Sequence, residues 1–262
     1  MSVRSLGLLI AGALLASAAV PAAGAETTAA PEAPSLSLSE EPPPAPCKPG
    51  PDVVLSNERT KTTWANPSDE LPIYTQPESH GRVIAHTHLL TEDGFAEVYL
   101  LLSCRVDAKG RAWIKLRIPG RPNGRVGWVS SEALAELHVT HWAIVVNRRR
   151  ELLTVYRNGR QVFVAPVGVG KPSTPTPPGH FWIRERFRLK DPANPYYPYA
   201  FGTSDYSTLS EWPGGGVVGI HGPFGEPQKI PGAPSHGCVR MRDAGVAWLG
   251  AHVPIGTPVL II

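Results

Sequence analysis

The chain has 262 residues, of which 42% are hydrophobic and 18% charged, and its formal net charge is +3. That length supports one large core or two modest ones. A surplus of three positive charges leaves no electrostatic footprint for nucleic acid.

Taken in chain order, the first 25 residues read as a signal peptide. Arg4 gives a positive start, residues 6–20 are an uncharged apolar run, and Ala23-Gly24-Ala25 is a small-residue cleavage site. The run is too short to favour a membrane span over a cleaved leader. No Cys sits near the cleavage site, which disfavours a lipoprotein. The mature chain is therefore expected to start near Glu26 and to be secreted across the cytoplasmic membrane, into the periplasm or cell wall. There, three cysteines leave one over. Cys47 and Cys104 lie together in the first half and are expected to pair, which leaves Cys238 as the free thiol.

Residues 26–50 are rich in Pro, Ala, Ser and Glu and read as a linker that buries little apolar surface. Residues 51–137 hold short apolar or alternating runs ("LPIYTQP", "FAEVYLLLSCRV", "AWIKLRI", "GRVGWVSS") punctuated by Gly, Pro, Asn and Asp. This is the pattern of a small all-β barrel or sandwich. Residues 138–262 begin with three strand-like runs, and Asn158-Gly159 marks a tight hairpin between the second and third. "HFWIRERFRL", "GVVGIHG" and "TPVLII" read as further strands. "RDAGVAWLGAHV" reads as one short helix with Asp243 as its N-cap and Val246, Leu249 and Trp248 on its apolar face.

The chemistry gathers in "GIHGPFGEPQKIPGAPSHGCVRM". His221 ends a strand, a Gly/Pro-rich loop follows, and Ser235-His236-Gly237-Cys238 comes next. A loop of that size folds the chain back so that His221 and Cys238 can meet. A thiolate that attacks a carbonyl needs an imidazole to take and return its proton. Gly237 admits a close backbone approach, and the amides of Gly237 and Cys238 are candidate oxyanion donors. Arg240 adds a fixed positive charge to hold the loop or a substrate carboxylate. Three other readings stand beside this one. His221, His236 and Cys238 could hold zinc, although no acidic base is adjacent. Cys238 could be a buried structural thiol. His236 could be the base, and His221 a core histidine.

Two family resemblances rest on these residues. Trp113, Gly127-Trp128-Val129 and the closing Ser-Glu-Ala-Leu resemble the last strands of a bacterial SH3-like domain, which implies either cell-wall contact or a structural spacer. "IHGPFG…SHGCVRM", with "VGVGKPSTPTPPGHFWI" and "YPYAFG" before it, resembles the L,D-transpeptidase catalytic domain (YkuD) family. Together they imply a mainly β chain: a small SH3-like β-barrel followed by a β-sandwich catalytic domain with one short helix. The second resemblance implies a cysteine acyltransferase of cell wall biogenesis that acts on peptidoglycan stem peptides. It would form 3→3 cross-links through a thioester and be acylated by carbapenems. L,D-carboxypeptidase action and lipoprotein attachment to peptidoglycan are the alternative outcomes of the same acyl-enzyme. Carried over to this chain, Cys238 is the nucleophile and His221 the base, oriented by the Gly222 carbonyl. Gly237 and Cys238 are the oxyanion donors, Ser235, His236 and Arg240 shape the site, and Tyr199 lines the donor groove. No metal or cofactor is implied, and a monomer is expected.

Overall fold

The computed structural model describes residues 47–78, 80–211 and 213–262. The expected signal peptide, and the expected linker up to residue 46, lie outside them. The described residues belong to one compact unit built on two sheets.

The first sheet is antiparallel, with strands β1 (Val53–Val54), β2 (Thr62–Pro67), β3 (Pro72–Tyr74), β4 (Val83–His86), β5 (Tyr99–Val106), β6 (Ala112–Arg117), β7 (Val126–Ser130) and β8 (Leu134–Thr140). Their order is β4-β3-β7-β6-β5-β2-β8, and β1 lies alongside β5. Tyr99, Leu101, Ile114, Leu116 and Val129 fill its core, and Trp113 and Trp128 are buried as well. Cys47 and Cys104 are joined in a disulfide, with Cα atoms 5.6 Å apart. The chain passes to the second sheet at His141, after β8 has paired with β2.

The second sheet is mixed and has ten strands. These are β9 (Trp142–Asn147), β10 (Leu152–Arg157), β11 (Arg160–Pro166), β12 (Gly168–Gly170), β13 (Gly179–Arg188), β14 (Tyr199–Tyr206), β15 (Val217–His221), β16 (Gly232–Ser235), β17 (Val239–Arg240) and β18 (Pro258–Ile261). Their order is β11-β10-β9-β18-β13-β14-β15-β17-β12-β16. Asn158 and Gly159 close the β10–β11 hairpin at φ 51° and 74°, the left-handed pair that a tight hairpin needs. The fold is thus mainly β, with one α-helix, α1 (Asp243–His252), among the described residues.

Two expectations are corrected. The N-cap of α1 is Arg242, not Asp243. The Arg242 guanidinium donates to the Ile230 carbonyl at 2.6 Å, and Asp243 falls in the first turn, where its charge suits the helix N-terminus. Val246 and Leu249 are buried, and Trp248 stacks on Phe163 with ring centroids 4.2 Å apart. The second correction is β14, a full strand that the sequence reading did not assign. Thr203, Ser204 and Asp205 look like turn residues, yet all are buried in the sheet.

The two sheets explain that burial. Asn123, in the β6–β7 loop of the first sheet, donates to the Asp205 carboxylate at 2.7 Å and to the Tyr206 carbonyl at 3.0 Å. Arg121 donates to the Ser207 carbonyl at 2.7 Å. Trp182 is buried against Val98 and Leu100 of the first sheet, and its indole N–H donates to the Val98 carbonyl at 2.6 Å. Arg184 forms a buried ion pair with Glu97. Polar groups of the first sheet thus meet much of this polar strand end, although Asp205 Oδ2 is buried without a partner.

Candidate active site

Parallel strands cannot be joined by a tight turn. The Gly/Pro-rich segment after His221 serves as the crossover that brings β17 parallel to β15, pairing Ile220 with Val239 and His221 with Arg240. Cys238 directly precedes β17, and the Gly219 amide donates to its sulfur at 3.4 Å. Local sequence thus sets the loop, and strand pairing brings imidazole and thiol to the same hollow.

Two cavities converge there. The smaller, of about 150 Å³, includes Ser207, Phe224, His236 and Arg240 in its lining. The larger, of about 450 Å³, reaches Asp93, Phe95, Glu185 and Phe187. Tyr196, Val217, His221 and Cys238 line both.

His221 is buried, and its Nδ1 lies 2.8 Å from the Gly222 carbonyl oxygen. A carbonyl only accepts, so Nδ1 carries the proton and Nε2 keeps its lone pair. Burial is the main cause that lowers the His221 pKa to about 4; Arg240 adds to it and the Gly222 carbonyl opposes it. The imidazole is therefore neutral at pH 7. Gly222 is required sterically, because a Cβ there would lie 1.7 Å from the Tyr197 carbonyl oxygen. The Tyr196 ring meets His221 edge-on with centroids 4.7 Å apart.

Cys238 is the free thiol among the described residues and is partly exposed. Burial of its sulfur pushes the pKa above the ordinary thiol value, against the Gly219 amide and Arg240, which pull it down. The expectation that the Gly237 amide is an oxyanion donor is corrected by its hydrogen bond to Ser235 Oγ at 3.1 Å. Ser235 Oγ in turn donates to the Cys238 carbonyl at 2.6 Å, so Ser235 locks the turn and the Cys238 amide is the remaining candidate. Gly237 has φ 134°, a conformation costly for other residues.

His236 lines the smaller cavity, but Lys171 Nζ lies 2.8 Å from its Nε2. An ammonium only donates, so that nitrogen is an acceptor already engaged. Ser207 Oγ donates to the His236 carbonyl at 3.1 Å, and Thr176 Oγ donates to the Gly237 carbonyl at 2.7 Å. Arg240 is buried, pairs with Glu226 at 2.8 Å, and lies over the Phe224 ring at 4.7 Å. Its Nε is buried without a hydrogen-bond partner. Among the described residues no group of three or more His, Cys, Asp or Glu side chains is placed to hold a metal ion.

Tyr199 is the other correction. It lines neither cavity, and its ring packs where a Cβ on Gly250 of α1 would fall. Tyr196 takes the place at the site. The sequence reading also missed Phe224, whose signal was an aromatic in a Gly/Pro loop directly after His221-Gly222. Asp93, Phe95 and Ser207 carried no local signal, since they arrive from other segments, the β4–β5 loop and the residue after β14.

The model of the L,D-transpeptidase catalytic domain family, YkuD, matches residues 141–261. The putative L,D-transpeptidase YkuD of Bacillus subtilis is 34% identical over 128 residues, 49% of this chain and 70% of that protein. L,D-transpeptidase 1 of Mycobacterium tuberculosis is 31% identical over 118 residues, 42% of this chain and 45% of that protein. Among solved structures, a mutant L,D-transpeptidase of Enterococcus faecium is 27% identical with a TM-score of 0.36, covering 46% of this chain and 49% of that one. With residues 141–261 matched and 70% of the B. subtilis protein spanned, the chain belongs to the L,D-transpeptidase catalytic domain (YkuD) family.

Proposed function

We propose that the chain is a cysteine acyltransferase that joins peptidoglycan stem peptides by 3→3 cross-links outside the cytoplasm. The supporting observation is a buried, neutral His221, oriented by the Gly222 carbonyl, on the same cavity wall as the free thiol of Cys238. In the first half-reaction Cys238 Sγ attacks the carbonyl before the terminal D-Ala of a tetrapeptide stem. The thiol proton passes to His221 Nε2, which returns it to the leaving amine as the C–N bond breaks. The Cys238 amide is the candidate donor to the oxyanion, a contribution of about 3 kcal/mol in comparable sites. Arg240, which lines the smaller cavity, suits the terminal carboxylate. The SH3-like reading of residues 51–137 and a role in cell-wall contact belong to this proposal too.

Incubation with tetrapeptide-bearing fragments, followed by mass spectrometry, tests the reading. Dimers with a 3→3 link are expected. Loss of D-Ala without dimers would make the chain an L,D-carboxypeptidase, and no change at all would overturn the acyltransferase assignment.

The electrostatics make a second prediction. With the His221 pKa lowered to about 4 and that of Cys238 raised, the resting pair is thiol and imidazole rather than thiolate and imidazolium. Alkylation of Cys238 by a small neutral reagent should then be slow at neutral pH and keep rising above the ordinary thiol range. A rate already flat from about pH 5 would mean a pre-formed ion pair of the kind found in papain-like enzymes.

A further inference from the structure

A trans peptide plane carries its C=O and the following N–H on opposite sides. Fixing a carbonyl therefore also aims the next amide. In the turn that carries the nucleophile, three successive carbonyls are each held by a side-chain hydroxyl. Ser207 Oγ donates to the His236 carbonyl at 3.1 Å, Thr176 Oγ to the Gly237 carbonyl at 2.7 Å, and Ser235 Oγ to the Cys238 carbonyl at 2.6 Å. The middle plane matters most for the chemistry, because its N–H is that of Cys238.

We propose that Thr176 is a positioning residue of the acyl transfer: its hydroxyl holds the Gly237 carbonyl on the buried side of the turn and so aims the Cys238 amide at the oxyanion. This rests on the acyl-enzyme reading above and deepens it, because it names the group that orients the donor. Thr176 is 1% exposed. Its Oγ accepts from the Gly170 amide at 2.9 Å, and its one hydroxyl proton goes to the Gly237 carbonyl. On the other side of the plane, the Cys238 N–H bonds its own sulfur, and the Gly219 amide donates to the same sulfur at 3.4 Å. The Cys238 amide thus faces the side on which an attacked carbonyl meets the sulfur.

Strand pairing sets this contact. β12 runs parallel to β16 with Gly170 opposite Ser235, and the Lys171 amide donates to the Ser235 carbonyl at 2.9 Å. The chain after Gly170 then turns back on it. A Cβ at Gly170 would lie 2.4 Å from the Thr174 carbonyl oxygen and 2.5 Å from the Thr176 nitrogen. Of the two threonines in this turn, Thr176 is the one whose hydroxyl reaches the nucleophile's backbone. Thr174 is also buried, but its Oγ has no hydrogen-bond partner.

Two reactions of the same sulfur separate aiming the amide from placing the thiol. Acylation by a tetrapeptide donor builds an oxyanion. Alkylation by iodoacetamide displaces iodide at a saturated carbon and builds none. Both are followed on the full chain by intact-mass spectrometry, with thermal unfolding as the check on folding. Thr176→Val should slow acylation about tenfold, less than the hundredfold or more that deleting an oxyanion donor costs, because the amide is loosened and not removed. Its alkylation rate should stay within about twofold of wild type, since a change in thiolate fraction is partly offset by the opposite change in nucleophilicity. Thr176→Ala should behave the same, and it keeps the test standing if the valine variant does not fold. Thr176→Ser, which keeps the hydroxyl, should restore acylation. Thr174→Val, the same exchange at a hydroxyl without a partner, should change neither rate. Equal losses in both reactions would mean that Thr176 only holds the thiol in place and would overturn the proposal. So would undiminished acylation, or a like loss in Thr174→Val. Failure of any acyl group to appear on Cys238 of the wild-type chain would instead overturn the reading on which the proposal rests.

Discussion

Cys238→Ala should take up no covalent mass from a carbapenem, while the wild-type chain takes up one equivalent. The argument is chemical. Acylation needs a nucleophilic sulfur, and the other two cysteines are joined to each other, leaving Cys238 as the free thiol. The loss should be complete rather than partial, because no neighbouring group is arranged to replace it. Ser235 Oγ donates to the Cys238 carbonyl and accepts from Gly237. His236 Nε2 is engaged by Lys171. The fold should survive, since removing one sulfur from a partly exposed position leaves a small void at a cavity that is already open. Intact-mass spectrometry reads the adduct and thermal unfolding reads the fold. A carbapenem adduct on the Cys238→Ala chain would mean that the nucleophile lies elsewhere.

Much of this site was legible because its chemistry is local. Ser235, His236, Gly237 and Cys238 are consecutive, and His221 is separated from them by a single loop. The Asn158-Gly159 hairpin was equally readable, since φ/ψ demands of a tight turn are written in two residues. What escaped depends on partners far along the chain. Thr203-Ser204-Asp205 reads as turn-like, yet it completes β14, which pairs with β13 and β15 and whose end meets Asn123 and Arg121 of the β6–β7 loop. The choice between Tyr196 and Tyr199 turns on which ring faces α1, a question decided by packing on Gly250. That the Gly237 amide bonds Ser235 follows from the course of a four-residue turn, which residue types alone do not fix. The contribution of Asp93 and Phe95 to a cavity of the second sheet could be seen only once the two sheets were packed together.

Glu97→Ala should destabilise the chain by about 3 kcal/mol, read as a shift in the urea midpoint. Glu97 lies just before β5, and its carboxylate forms the ion pair with Arg184 of β13 at side-chain exposures of 2% and 3%. Burial opposes the charge of Arg184, and Glu97, helped by Tyr206 and Glu92, more than offsets it, so the guanidinium pKa is raised. Removing Glu97 leaves that charge buried, and leaving one partner unpaired is what makes such a break costly. Two contacts hold the expected loss to the lower end of the range: Glu92 stays 3.1 Å from Arg184, and Tyr206 Oη accepts from it at 2.9 Å. The double change Glu97→Leu with Arg184→Met removes both charges and should recover most of the loss, because the pair repays little more than its own desolvation. A loss below about 1 kcal/mol for Glu97→Ala would mean that water reaches the pair and that the sheets are held by Trp182 and its apolar neighbours instead. The position also bears on function. Arg184 precedes Glu185 in β13, and Glu97 follows Phe95 by two residues, so the ion pair fixes both walls of the larger cavity. Loosening it should open the Phe95–Phe187 contact before it disturbs His221 and Cys238, which are held by the pairing of β15 with β17.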